Sequence, residues 1–446
     1  MDMNANVIKT LNYIKRNGLI KGYYAIRERI EDKKSDTYSY EPISEEERLE
    51  EVAWSLDKDI TFSILVPTYE TPPQFLREMI DSVIEQTYRN WQLVIADASM
   101  DDRVKSVVEE YFDDRIDYIR LAQNGGISEN SNAGLLACRG DYVCLLDHDD
   151  VLTKDALYCN ARAIFEASNK GIVPEMIYSN EDKMDGDGTR FFCGTSKDKF
   201  NYDLIMTNNY ICHFLVVKKE LISSLGFRKE YDGAQDHDLV LRAVSKLHKE
   251  KGSEYSIYIL NIERVLYHWR CHEASTAANP KSKMYAYESG KRAVESFLVE
   301  EGIKASVKEL PHMGFFYVDY EPDILIQRRE VAAVGYRVVN RKGYVSSGVF
   351  DENMNTMFGG LHKGYSGGLF HVAACQRQVA YVDVRYMKAN EIALEEYNRL
   401  LSEYTQGENS DKNIDYKELS RRFCDIMKDK GFSFVYDPAV IKKEIG

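Results

Sequence analysis

The sequence predicts an α/β protein: a mainly parallel sheet flanked by helices, with an N-terminal helical extension and a small α+β domain at the carboxyl end. Three observations support this. Short apolar runs alternate with helical patterns over residues 61–146, as expected for parallel strands joined by crossover helices. Each apolar run ends in a cluster of polar residues. The 446 residues leave room for more than one domain, and 44% hydrophobic with 29% charged residues is an ordinary globular composition.

Residues 1–30 read as an amphipathic helix. Ile8, Leu11 and Ile14 recur at helical spacing, and Lys9, Lys15, Arg16, Lys21, Arg27 and Arg29 face out or flank them. Such a helix either docks on the main domain or touches an anionic membrane surface. Residues 32–58 form a charged linker with one helix at 44–56, where Ser44 and Glu47 fit a capping box. Strands are expected at 61–67, 91–96, 116–121 and 141–146, and helices at 74–86, 101–112 and 129–138. Sheets of this kind take ligands outside the carboxyl ends of their strands. Those ends hold Thr68-Tyr69-Glu70, Asp97-Ala98-Ser99, Asn124 and Asp147-His148-Asp149, so the strand ends converge on one crevice. Further on, 176–179 reads as a short strand and Asp185-Gly186-Asp187-Gly188 as a hairpin turn without EF-hand spacing. Strands at 210–217, 256–260 and 264–267 and a helix at 238–247 complete this region.

A net charge of -14 argues against broad nucleic-acid binding, which needs a basic face. The eight cysteines are scattered with no CxxC pair, as free thiols in a reducing cytosol would be. No apolar run approaches the ~20 residues that span a bilayer. The N-terminus has no apolar signal core or cleavage site. The expected location is therefore cytoplasmic, with peripheral contact at the inner membrane face if the first helix meets lipid.

In CLLDHDDVL, residues 144–152, an apolar run feeds directly into three carboxylates and an imidazole. Like charges this close repel, and burying them unpaired is costly. Two carboxylates at i and i+2 can share one hard cation, so Asp147 and Asp149 suit Mg²⁺ or Mn²⁺ bridging a diphosphate. Alone, D-x-D also fits a solvated turn. In GAQDHDLVLRA, residues 233–243, Asp238 suits the first turn of a helix, which leaves Asp236 to point into the crevice. A carboxylate there can accept a proton from an attacking sugar hydroxyl. In LYHWRCHEAST, residues 266–276, His268 or His272 can complete the metal site, Arg270 can hold a phosphate and Trp269 can stack on a sugar.

The segments FSILVPTYE, VIADASMDD, NGGISENSNAGLLACRGDYVCLLDHDDVL and YDGAQDHDLVLRA together resemble the family 2 glycosyltransferases over residues 62–276. The segments YSNEDKMDGDGTR and YHWRCHEAST look most like the bacterial branch that builds surface polysaccharide such as O-antigen, capsule or rhamnan. The resemblance implies a GT-A fold, a Rossmann-like nucleotide-diphospho-sugar domain, and an inverting mechanism with a UDP- or dTDP-sugar donor. It implies that Pro67, Thr68, Tyr69 and Glu70 border the nucleobase and ribose and that Asp97 contacts the base. Gly126 and Asn132 then line the diphosphate, where relatives often carry Arg or Lys and this chain has Glu129-Asn130. Asp147 and Asp149 match the metal-binding acids with His148 between them, and His268 or His272 matches the third ligand. Asp236 matches the general base, with Gln235 in place of the commoner Glu. Glu181 and Asp182 lie where relatives contact donor or acceptor hydroxyls. The acceptor implied is a growing surface glycan or a lipid-linked saccharide.

The expected division is an extension at 1–58, a glycosyltransferase domain at 59–320 and a non-catalytic accessory domain at 321–446. In the last, 331–349 alternates like a strand, and 391–404 and 416–430 read as helices. The glycine-rich stretch 359–369 lacks the GK[ST] of a phosphate loop. This domain suits acceptor contact or self-association as a homodimer. A sugar nucleotidyltransferase would need a Gly-rich, basic loop after its first strand, and PTYETPPQF supplies none. A catalytically silent partner or glycan-binding protein of the same pathway is the other alternative; retention of Asp147, Asp149 and Asp236 argues against it.

Overall fold

The computed structural model describes residues 3–35, 37–56, 58–271, 284–368, 370–406 and 414–445. The chain divides into two compact units. One comprises Thr37–Phe200 and Asn209–Phe297, the other Met1–Asp36, Asn201–Asn208 and Leu298–Gly446.

The first unit is built on a nine-stranded sheet. Its strands are β1 (Phe62–Thr68), β2 (Trp91–Asp97), β3 (Ile116–Arg120), β4 (Tyr142–Leu145), β5 (Val151–Leu152), β6 (Met176–Asp185), β7 (Phe191–Thr195), β8 (Leu215–Lys218) and β9 (Ile259–Cys271). The order is β3-β2-β1-β4-β8-β6-β9-β5, with β7 hairpinned onto β6. The β3-β2-β1-β4 half is parallel, as its alternation with helices predicts. Beyond β4 the sheet is mixed, because β8 runs antiparallel to both β4 and β6 and β5 runs antiparallel to β9. Every residue of β2 is buried, as expected of a strand covered on both faces. Phe62, Ile64, Val66, Leu93 and Ile95 pack with Leu76, Met79, Ile80 and Val83 of the helix Pro73–Ile84. The helix Ile127–Leu135 lies close to Leu65, Val94 and Ala96: a Cβ on Gly134 would come within 2.5 Å of Leu65.

Several expectations change. The strand expected at 210–217 is confined to Leu215–Lys218. A 3₁₀ turn, Gly252–Tyr258, replaces most of the strand expected at 256–260, and β9 then runs unbroken to Cys271. The Ser44–Glu47 capping box is formed at the head of the helix Glu45–Ser55.

In the second unit the N-terminal helix is two helices, Met3–Asn17 and Leu19–Ser35, broken at Gly18 with φ +86°. The Arg16 guanidinium donates to the carbonyls of Leu310 at 3.1 Å and Pro311 at 2.7 Å. Strand Val331–Val339 is buried along its whole length, so the alternation read for this segment does not describe its faces. It pairs in parallel with Ser433–Lys443. Phe423 and Met427 of the helix Tyr416–Asp429 and Leu400 of the helix Glu391–Gln406 pack with Ala332, Phe434 and Tyr436. Among the described residues no helix is long and apolar enough to cross a membrane.

Candidate functional site

The register of β1, β2 and β3 sets Thr68, Asp97 and Arg120 side by side at the carboxyl ends. Asp97 is fully buried. One oxygen accepts from the Thr68 hydroxyl at 3.2 Å and the Ser99 N–H at 2.9 Å. The other accepts from the Tyr118 hydroxyl at 2.8 Å and Arg120 at 3.4 Å. A buried carboxylate needs such partners, so its place is fixed by the sheet itself. Glu70 adopts φ +50° and its N–H donates to Ser99 Oγ at 2.8 Å, which ties the turn after β1 to the turn after β2. Pro67 is half-buried and Tyr69 is exposed at this rim.

Gly126, φ +96°, opens the helix Ile127–Leu135, and a Cβ there would meet Asp232 Oδ2 at 2.4 Å. The Asn132 amide exchanges two 2.8 Å hydrogen bonds with the backbone of Phe227. Asn132 therefore clips two backbone segments together, and its amide is already occupied where a diphosphate contact was expected. Glu129 pairs with Lys229 at 3.0 Å.

The acid turn follows β4 and is pinned by β9. Asp150 is buried, accepting from the Arg270 N–H at 2.7 Å and from the Tyr267 hydroxyl. Tyr267 Oη in turn accepts from the Asp147 N–H at 3.3 Å. Burial pushes the Asp147 carboxyl above the usual carboxylate range. His213 and His148 oppose that shift, while Asp149 and Asp236 add to it. Burial raises Asp150 strongly, and Asp149 and Asp147 raise it further. Burial, more than the neighbouring carboxylates, therefore disfavours the charged form of both acids. His148 Nδ1 is buried among these groups with no hydrogen-bond partner.

Asp236 lies in the first turn of the helix Gln235–Lys251. Its Oδ2 accepts from the Asn209 amide at 2.8 Å. Burial, followed by the adjacent Asp236, raises the Cys212 thiol. The His213 ring stacks on Tyr267 at 4.7 Å and meets Trp269 edge-on at 5.9 Å. This segment is suspended from a buried cation. Lys197 donates to the carbonyls of Ile211, at 3.2 Å, and His213, and pairs with Glu181 at 3.0 Å. Glu181 also accepts from the His213 N–H. Asn209, Cys212 and His213 are thereby brought to the same crevice as Asp147 and Asp236, and Asp238 is bonded to Arg228 and Arg242 nearby.

The pleat of β9 divides the expected site residues between two sides, because alternate side chains face opposite ways. Tyr267 and Trp269 face His213, whereas His268 and Arg270 take the other side. His268 is buried, 2.6 Å from Asp182 and packed against Tyr40 and Phe191, so it is committed away from the acid turn. Asp182 is fully buried and also accepts from the Tyr38 hydroxyl at 2.6 Å, which leaves no face for a sugar hydroxyl. Arg270 is fully buried, bonded to Glu78 at 2.5 Å, the Asp149 carbonyl at 2.6 Å and the Gly186 carbonyl at 3.1 Å; it has no free edge for a phosphate. Glu181 serves Lys197 and His213, and Gln235 accepts from the Gly233 N–H at 2.9 Å within its own turn. His272 lies outside the described residues. Asp147 and Asp149 remain as two carboxylates at the turn; among the described residues no three His, Cys, Asp or Glu side chains are grouped to hold an ion.

Residues 63–226 match the family model for glycosyl transferase family 2. Among relatives, uncharacterized protein y4gI of Sinorhizobium fredii is 37% identical over 275 residues, covering 60% of this chain and 29% of that protein. O-antigen biosynthesis protein RfbC of Myxococcus xanthus is 31% identical over 265 residues, covering 58% and 20%. Amylovoran biosynthesis glycosyltransferase AmsB of Erwinia amylovora is 30% identical over 199 residues, covering 42% and 64%. The chain thus spans less than a third of the first two relatives and under two thirds of the third. The structure of S. aureus TarS 1-349 in complex with UDP-GlcNAc is similar at a TM-score of 0.41 and 20% identity, covering 54% of this chain and 66% of that one.

Proposed function

We propose that the chain is a metal-dependent inverting glycosyltransferase that moves a sugar from a nucleoside-diphosphate donor to a hydroxyl of a bacterial surface glycan or lipid-linked saccharide. The observation that carries this reading is the convergence of Asp236 with the acid turn of Asp147 and Asp149 at the strand ends of a family 2 domain. Relatives named for O-antigen and amylovoran biosynthesis favour a surface-glycan acceptor.

Asp236 takes the proton of the attacking hydroxyl, and the Asn209 amide orients it for that task. Attack on the anomeric carbon from the face opposite the diphosphate inverts the configuration. Asp147 and Asp149 would hold Mg²⁺ or Mn²⁺. When bound, the ion neutralises charge on the departing diphosphate. Two carboxylates two residues apart on one turn fit a hard cation by the chemistry of the donor set. Trp269, half-buried beside His213, offers a flat face to a sugar.

A thermal-shift screen of nucleotide-sugars with Mn²⁺ and Mg²⁺ names the donor, because a ligand of the folded state raises its melting temperature. Release of nucleoside diphosphate is then compared in the wild type, Asp236→Asn and Asp149→Ala. Both variants are expected to lose release; full activity in both overturns the assignment.

A further inference from the structure

Within the unit that contains Leu298–Gly446, the two N-terminal helices close one wall of a cavity of about 550 Å³. That volume falls in the ~300–1,000 Å³ range of small-molecule sites. Arg337 lines it, only 7% exposed. Its guanidinium reaches the carbonyls of Tyr365 at 3.2 Å and Pro438 at 3.5 Å, while Nε is buried with no partner. Among the described residues Arg337 has no carboxylate partner, an unusual state for a buried guanidinium.

The remaining charges are one-sided. Lys21, Lys363 and Lys443 line the cavity as exposed side chains. Glu28 is its one acid, and both oxygens are already used. One accepts from the N–H groups of Gly367 at 2.7 Å and Gly368 at 2.9 Å, the other from the Ser366 N–H and hydroxyl at 2.9 Å. Four cations thus face one satisfied carboxylate in a chain whose net charge is -14. Tyr13, Tyr24 and Tyr365 supply aromatic wall beside them. His312, also lining the cavity, is held down to about 4 by burial and by Arg16 and Lys21, in keeping with a positive field.

We propose that this cavity binds an organic phosphate, the phosphate on Arg337 and the lysines and the carbon body against the tyrosines. Guanidinium groups pair with phosphate through two parallel hydrogen bonds, and tyrosine rings suit a saccharide or glycerol body. The phosphate can belong to a soluble sugar phosphate or to a lipid headgroup.

Isothermal titration of the full chain with glucose 1-phosphate, with neutral glucose as control, tests the first source. Flotation with phosphatidylglycerol vesicles against phosphatidylcholine vesicles tests the second. Binding to either anionic probe is expected, weakening with salt and falling at least tenfold in Arg337→Met and severalfold in Lys363→Glu. Lys363 is exposed, so its variant reports on the site even if Arg337→Met fails to fold. Asp149→Ala is expected to keep this binding, which separates the cavity from the family 2 site. No binding to either anionic probe, or binding unchanged in Lys363→Glu and in folded Arg337→Met, overturns the proposal.

Discussion

The Asn209 side-chain amide and Asp236 are joined by a single hydrogen bond of 2.8 Å, and it fixes one oxygen of the proposed base. A hydrogen bond to a charged group is worth about 1.5–3 kcal/mol. Asn209→Ala is therefore expected to lower kcat roughly tenfold or more, with the donor KM little changed, since the bond orients a base and does not bind the nucleotide. Asn209→Ser, which keeps a donor, should recover part of the rate. Equal kcat in wild type and Asn209→Ala, measured by steady-state kinetics, counts against an orienting role.

Lys197 and Glu181 form a pair with only 2% and 12% of their side chains exposed. Removing one member of a buried pair leaves the other uncompensated, at a cost of about 3–5 kcal/mol. Lys197→Met should lose stability on that scale in urea unfolding, and Lys197→Met with Glu181→Leu should regain part of it. Because Lys197 also suspends the carbonyls of Ile211 and His213, transfer activity should fall in both variants. A single variant as stable as the wild type would show that the pair contributes little.

His312 and His371 stack with ring centroids 3.3 Å apart in the second unit. Burial holds His312 down to about 4 and His371 down to about 2, with Arg16 and Lys21 adding to the first. The unfolded imidazoles titrate near ~6.5, so the unfolded chain binds more protons below that pH. The stability from keeping both neutral is present in full above pH ~6.5 and declines on acidification, from ~6.5 toward 4 for His312 and further for His371. Each contributes a slope of at most ~1.4 kcal/mol per pH unit. Urea midpoints at pH 7 and 5 should differ, and His312→Gln should flatten the difference. An unchanged slope in that variant would assign the acid sensitivity elsewhere.

How much of this was legible follows from how local each feature is. β1, β2 and β4 are short apolar runs between polar ends, so composition alone marks them, and the acid turn follows β4. The Ser44–Glu47 box is equally local. The segment from Tyr210 to His213, within the strand expected at 210–217, is different. It reads as a strand, yet Lys197 and Glu181, distant in sequence, take over its backbone partners. The cluster from Tyr267 to Arg270 was legible as a group, but the face each side chain takes depends on the pleat of β9. The sequence alone therefore points His268 and Arg270 to the crevice and carries no signal for Tyr267, which pins the acid turn. His213, the missed neighbour of Asp147, had no signal beyond an isolated histidine before an apolar run.

The shared crevice of Asp236 and the Asp147–Asp149 turn is tested most directly by a nucleoside-diphosphate release assay on one preparation each of wild type, Asp236→Asn and Asp149→Ala, all shown to melt cooperatively. Loss of a general base slows a step by about 10²–10⁴-fold, and that loss is expected for Asp236→Asn with donor binding retained. For Asp149→Ala, release and the metal-dependent thermal shift by donor should disappear together. If either variant turns over at the wild-type rate, the two acids do not serve one reaction.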